Sequence, residues 1–134
     1  MKSTVVWQTS SEGLTFTGTN DNGLSLTLDG SGKGISPMES VLMAMGACSS
    51  VDVVEIMRKA KQDMQHCEVQ LSAERAENAP RVFTKVHAKF VIRGEQLNEK
   101  HVARAISLST EKYCSVMLMF NEKVDISTSY EIVD

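Results

Sequence analysis

A chain of 134 residues is long enough for one hydrophobic core that buries roughly two thirds of its unfolded surface, and a single domain over 1–134 is expected. Its 14 basic and 17 acidic side chains leave a net charge of −3 and form no basic run, which argues against nucleic acid and an anionic membrane surface as partners. Three cysteines in a small chain do not make a disulfide framework. The opening Met1-Lys2-Ser3-Thr4-Val5-Val6-Trp7-Gln8 lacks the apolar core of a signal peptide, so a cytoplasmic location with reduced thiols is expected.

The chain begins as β. Val5 and Trp7 lead to a Glu12-Gly13 turn, Leu14 and Phe16 alternate with Thr15 and Thr17, and Asn22-Gly23 marks a hairpin. Leu24, Leu26 and Leu28 then alternate with Ser25, Thr27 and Asp29, which predicts one dry face and one wet one. In the loop Asp29-Gly30-Ser31-Gly32-Lys33-Gly34 the Gly-Lys pair suggests a phosphate loop. Thr27 stands where that pattern needs its first glycine and Gly34 where it needs Ser or Thr, so phosphate binding is not expected.

A long helix follows from Ser36 to Met57. Ser36 is a good N-cap, Pro37 suits the first helical position, and Glu39 completes an S-x-x-E capping box. From Val41 to Met57 apolar or small residues occur on every side, so the helix is expected to be the buried central element of the fold. The apolar run is expected to be too short and too polar to span a bilayer, and no membrane partner is expected. Eight methionines with few aromatics suggest an adaptable core with room for an apolar pocket.

After the helix, Cys67, Val69 and Leu71 alternate with Glu68 and Gln70. A second long strand places Val82, Thr84, Val86, Ala88, Phe90 and Ile92 on one face and Lys85, His87 and Lys89 on the other. Asn98 caps a helix whose apolar face runs through Val102, Ala105, Ile106, Ser109 and Tyr113. Ser115 caps a short helix to Phe120, and a half-buried strand from Val124 to Ile132 ends the chain. The order β-β-β-α-β-β-α-α-β is that of an α+β fold without repeats.

The chemistry rests on cysteines. Cys48 lies within the long helix. Cys114 lies at the start of a short one, where the helix dipole favours thiolate. Each is either a reactive thiol or a small buried hydrophobe, and spacing alone does not decide. Asp52, one turn after Cys48, is positioned to accept its proton or to bond a nearby donor. Cys67 belongs to a dry strand face and reads as inert. His66, His87 and His101 follow no ligand spacing with the cysteines, so neither a metal nor another cofactor is expected.

Ser36-Pro37-x-Glu39 leading through Gly46-Ala47-Cys48, followed much later by Glu111-Lys112-Tyr113-Cys114-Ser115, resembles the OsmC/Ohr family (osmotically inducible protein C and organic hydroperoxide resistance), and within it the YhfA-like branch. The resemblance covers essentially the whole chain. It implies an intertwined homodimer and a thiol-dependent peroxidase of oxidative-stress defence. In it Cys48 attacks an organic hydroperoxide, Cys114 resolves the product as a disulfide, and a dithiol restores both. The other reading is a non-catalytic OsmC-like binder of a small apolar molecule.

Two positions depart from the family's pattern. Met38 follows the helix-opening proline where the hydroperoxidases have a glutamate, the carboxylate coming one place later at Glu39, and no arginine precedes Arg58. Glu39 is thus either a catalytic carboxylate or simply the capping residue, and Lys33 is the candidate cation for Cys48.

Overall fold

The computed structural model describes residues 1–10 and 12–134, and the chain divides into two compact units, Met1–Leu42 and Met43–Asp134. The first holds β1 (Ser3–Trp7), β2 (Thr15–Asn20) and β3 (Ser25–Asp29), paired antiparallel in that order. Asn20 builds the β2–β3 turn, its side-chain oxygen accepting from the backbone N–H of Asn22 and of Leu24, while Gly23 takes the positive φ of 79° that few other residues adopt. The dry face expected on β3 is not covered within this unit. Leu24 and Leu26 are 70% and 57% exposed, and Val5 and Trp7 on β1 are exposed as well.

The glycine loop after β3 is closed by Asp29, whose carboxylate accepts from the Ser31 hydroxyl and from the backbone N–H of Ser31 and Lys33. The Ser31 bonds, with smaller help from Lys33, hold that carboxyl below its usual range. Helix α1 (Pro37–Lys59) opens in this unit with the predicted reciprocal cap: Glu39 N–H donates to Ser36 Oγ at 3.1 Å, and Ser36 N–H donates to Glu39 Oε2 at 2.8 Å.

The second unit holds the rest of α1, the long strands β4 (Asp63–Arg75) and β5 (Phe83–Glu95), helix α2 (Glu99–Leu108), a π-helical turn over Ser109–Tyr113, helix α3 (Ser115–Phe120) and β6 (Asp125–Val133). β4 and β5 form an antiparallel hairpin, and β6 joins β5 in parallel through the helical crossover. The core is drawn from Val86, Ala88, Phe90 and Ile92 of β5, Val102, Ala105 and Ile106 of α2, Met117 of α3, and Met45, Val53 and Met57 of α1. Gly46 lets α1 lie close to the sheet, since a Cβ there would stand 2.6 Å from Leu71 Cδ1. Thus the α+β class and the element order match the sequence reading, with the π-helical turn as an addition.

Two expectations are corrected, for β5 and for the length of the apolar run in α1. Val82 is exposed and the strand begins with buried Phe83, because a bulge at Arg75 pairs that residue with Phe83, leaves Thr84 as the extra residue and reverses the inward face. The second unit by itself does not supply the cover expected all round α1. Only Met45, Gly46, Ser49, Val53 and Met57 are buried, essentially a stripe repeating every four residues, while Met43 and Val51 are exposed. By length and composition α1 is also long and apolar enough to cross a membrane, with a best 18-residue window of mean hydropathy 1.5. The small residues Gly46, Ala47, Ser49 and Ser50 dilute the apolar run without charging it, which is why the run is longer than expected.

Candidate functional site

The second unit brings Cys48 and Cys114 close enough for the Cys48 side chain to act on the Cys114 thiol. Each is placed by backbone devices. On α1 the Gly46 carbonyl accepts both the Ser49 hydroxyl at 3.1 Å and the Ser50 hydroxyl at 2.7 Å, so the polar side chains flanking Cys48 are satisfied within the helix. Cys114 follows the π-helical turn, closed by its N–H donating to the Ser109 carbonyl at 2.7 Å, an i to i−5 bond. The additional residue in that turn swings Tyr113, expected on the dry face, out to solvent and carries Cys114 fully inside.

Cys114 then caps α3, its Sγ accepting from Met117 N–H at 3.5 Å. A low pKa, expected from the helix start, is not the outcome. Burial, the largest cause, and the Cys48 neighbour push the Cys114 thiol up to about 11, against the pull of the Met117 and Val116 N–H groups. Desolvation wins because one short helix offers two weak donors, whereas the side chain has lost all its solvent. Cys114 therefore holds its proton close to Cys48. All three cysteines are free thiols.

Ser109, read from the sequence only as part of an apolar helix face, has a role that reading did not assign. It is fully buried, and its hydroxyl faces two acceptors on α1, the Ser49 carbonyl at 2.9 Å and Asp52 Oδ2 at 3.0 Å. Asp52 thus holds the π-helical turn to α1 instead of standing free as a base for Cys48. The available signal was a serine on the apolar face of an amphipathic helix, because a buried hydroxyl needs a partner. Glu39 belongs to the first unit, where its Oε2 is engaged in the capping box.

Cys67 is half-buried on β4. Burial raises its pKa, partly offset by a hydrogen bond with the Ser50 side chain. His66 faces Glu68 at 3.5 Å, and His87 sits between the hydroxyls of Ser127 and Ser129 at 2.7 and 2.8 Å. Among the described residues no group of three His, Cys, Asp or Glu side chains is arranged to hold a metal. A groove of about 710 Å³ extends from Asp52 and Tyr113 along α1 and α2, and neither Cys48 nor Cys114 lines it.

The family model for OsmC-like proteins matches residues 30–129, and the chain belongs to that family. Within it, the chain is 49% identical over 135 residues to Protein YhfA of Escherichia coli strain K12, covering 99% of this chain and 98% of that protein. A solved structure of a hypothetical protein from Aquifex aeolicus VF5 superposes with a TM-score of 0.86 at 34% identity, over 99% of this chain and 97% of that one. The organic hydroperoxide resistance protein OhrB of Bacillus subtilis shares the fold alone, with a TM-score of 0.64 at 15% identity over 98% of each chain.

Proposed function

We propose that this protein is a thiol-dependent peroxidase for organic hydroperoxides, with Cys48 as the attacking sulfur and Cys114 as the resolving one. The observation that carries the reading is the closeness of the two thiols, brought together from different elements, whereas no cysteine acts on Cys67 on β4. In the first step the Cys48 thiolate attacks the distal peroxide oxygen and the O–O bond breaks. The alkoxide leaves, takes a proton to become the alcohol, and Cys48 becomes a sulfenic acid. The Cys114 sulfur then attacks the Cys48 sulfur. Its proton leaves with the displaced hydroxide as water, and a disulfide forms. A dithiol reduces that disulfide by exchange and is itself oxidised to a disulfide.

Because Cys114 keeps its proton well above neutral pH, it can donate to the Cys48 thiolate before attack and protonate the leaving hydroxide afterwards. Glu39 in this reading is a positioning residue that fixes the start of α1. The active form is a homodimer, an assignment supported by the uncovered apolar side chains on α1, β1 and β3. The cytoplasm, with its reduced dithiols, is the compartment that fits the cycle.

The test is consumption of an organic hydroperoxide with a dithiol as reductant. Turnover is expected from the parent protein and from Cys67→Ser, none from Cys48→Ser, and stalling after one equivalent from Cys114→Ser. Mass spectrometry after one equivalent of peroxide should link the Cys48 and Cys114 peptides. A dominant disulfide through Cys67, or no consumption by the parent protein, would reject the assignment and favour the binder.

A further inference from the structure

Ser109 ties together the two elements that carry the thiols. It opens the π-helical turn and is fully buried, and its one hydroxyl hydrogen faces two acceptors on α1, the Ser49 carbonyl at 2.9 Å and Asp52 Oδ2 at 3.0 Å. Its own carbonyl receives the Cys114 N–H at 2.7 Å. Ser49 directly follows Cys48, so a path from one cysteine to the other runs through two serines and two hydrogen bonds.

The neighbouring hydroxyls do not reach α1. Thr110 bonds back to the Ile106 carbonyl at 2.9 Å, and Ser107 donates to Glu111 at 3.0 Å, both within α2 and the turn that follows it. The Cys114 sulfur is tied to α3 through the Met117 N–H. A π-helical turn is unfavourable by itself and persists where tertiary contacts hold it. The Ser109 hydroxyl is a contact of that kind.

We propose that Ser109 is a positioning residue that sets the effective concentration of Cys114 at Cys48. In the peroxidase cycle, on which this consequence rests, that concentration decides the fate of the Cys48 sulfenic acid. Attack by Cys114 gives the disulfide and water. When Cys114 is slow, the sulfenate sulfur attacks a second hydroperoxide instead. The O–O bond breaks, the sulfur takes the distal oxygen and becomes a sulfinic acid, and the leaving alkoxide takes a proton to become the alcohol. A dithiol does not reverse that product. Ser109 thereby protects Cys48 from an excess of the substrate.

The first measurement uses no peroxide. Equilibration of the full chain with reduced and oxidised glutathione reads the effective concentration of the pair. Ser109→Ala is expected to lower it by about tenfold or more, a rise of about 30 mV in potential for each tenfold, and Ser109→Thr to recover much of the loss. Asp52→Asn keeps an acceptor for the hydroxyl while dropping the charge, and Thr110→Val removes a hydroxyl whose bond stays inside the helical segment. Both should stay at the parent value. An unchanged equilibrium in Ser109→Ala, or an equal fall in either control, overturns the proposal. If Ser109→Ala does not fold, Asp52→Ala, which leaves the bond to the Ser49 carbonyl, should show a smaller fall, and an unchanged value there overturns the proposal as well.

The second measurement is mass spectrometry in excess cumene hydroperoxide. The parent protein is expected to lose the two hydrogens of a disulfide, and Ser109→Ala to gain the two oxygens of a sulfinic acid on Cys48. Disulfide as the end product of both overturns the protective role. A shifted glutathione equilibrium with no reaction of the parent protein with peroxide upholds the positioning and removes the peroxidase reading.

Discussion

The two sheets are built from the same alternating pattern and put it to different uses. On β5 the alternation leaves Val86, Ala88, Phe90 and Ile92 with essentially no exposure, under helices of the same unit. On β1 and β3 it leaves Val5, Trp7, Leu24 and Leu26 open. Alternation therefore states that a face is apolar and is silent on what covers it. The first sheet asks for a cover that its own unit does not supply; the second already has one.

The sharpest way to break this contrast is Phe90→Ala. The ring is fully buried in the second unit, so its removal should cost about 3–5 kcal/mol in urea denaturation, a large part of the stability of a domain this size. A loss below about 1 kcal/mol would mean the second sheet's core is not closed. Leu26→Ser tests the other side. A lone exposed leucine would cost almost nothing, but one that meets a second copy should weaken association by about 2 kcal/mol per site, read by sedimentation at low micromolar concentration. Identical sedimentation of parent and variant would remove that face from the dimer.

Ser109→Ala removes the hydroxyl between the Ser49 carbonyl and Asp52, so Asp52 Oδ2 loses its donor while the Ser49 carbonyl keeps only its helical one. A loss of about 1–2 kcal/mol is expected, with Ser109→Thr recovering part of it. If the disulfide-forming step slows more than sulfenic acid formation, the serine also positions Cys114.

The smallest effect should come from pH. Cys114 holds its proton up to about pH 11, above its ordinary value of 9.0, so the native state keeps a proton that the unfolded chain releases. The associated stability is complete below pH 9 and is lost as pH climbs toward 11. Denaturation curves at pH 8.5 and 10.5 should diverge more for the parent than for Cys114→Ala, and parallel behaviour would contradict the buried donor.

Much of the architecture was legible because its signals are local. The Asn22-Gly23 turn, the Ser36–Glu39 capping box, the Asn98 cap and the period-two strands each depend on neighbours within a few residues. What escaped was set at a distance or by one irregular residue. The bulge at Arg75 moved the inward face from Val82 to Phe83. The π-helical turn brought Cys114 inside and sent Tyr113 out.

The two cysteine elements could be named from the sequence, but their meeting depends on packing across the whole crossover. The Ser109–Asp52 bond spans 57 positions and has no short-range signature.

One consequence concerns how β6 finds its place. As a parallel strand reached by a long crossover, it has no tight turn to fix its alignment, and a shift of one position would turn Ile126 and Tyr130 toward water. The imidazole of His87 sits opposite Ser127 and touches that hydroxyl on one nitrogen and the Ser129 hydroxyl on the other. A neutral ring gives one hydrogen and receives one, so the two serines must orient their O–H groups in opposite senses. The histidine thus works as a gauge with two prongs set two residues apart. The native alignment offers it a serine hydroxyl at each prong, and a strand slipped by one would meet it with Ile126 and Thr128 or with Thr128 and Tyr130.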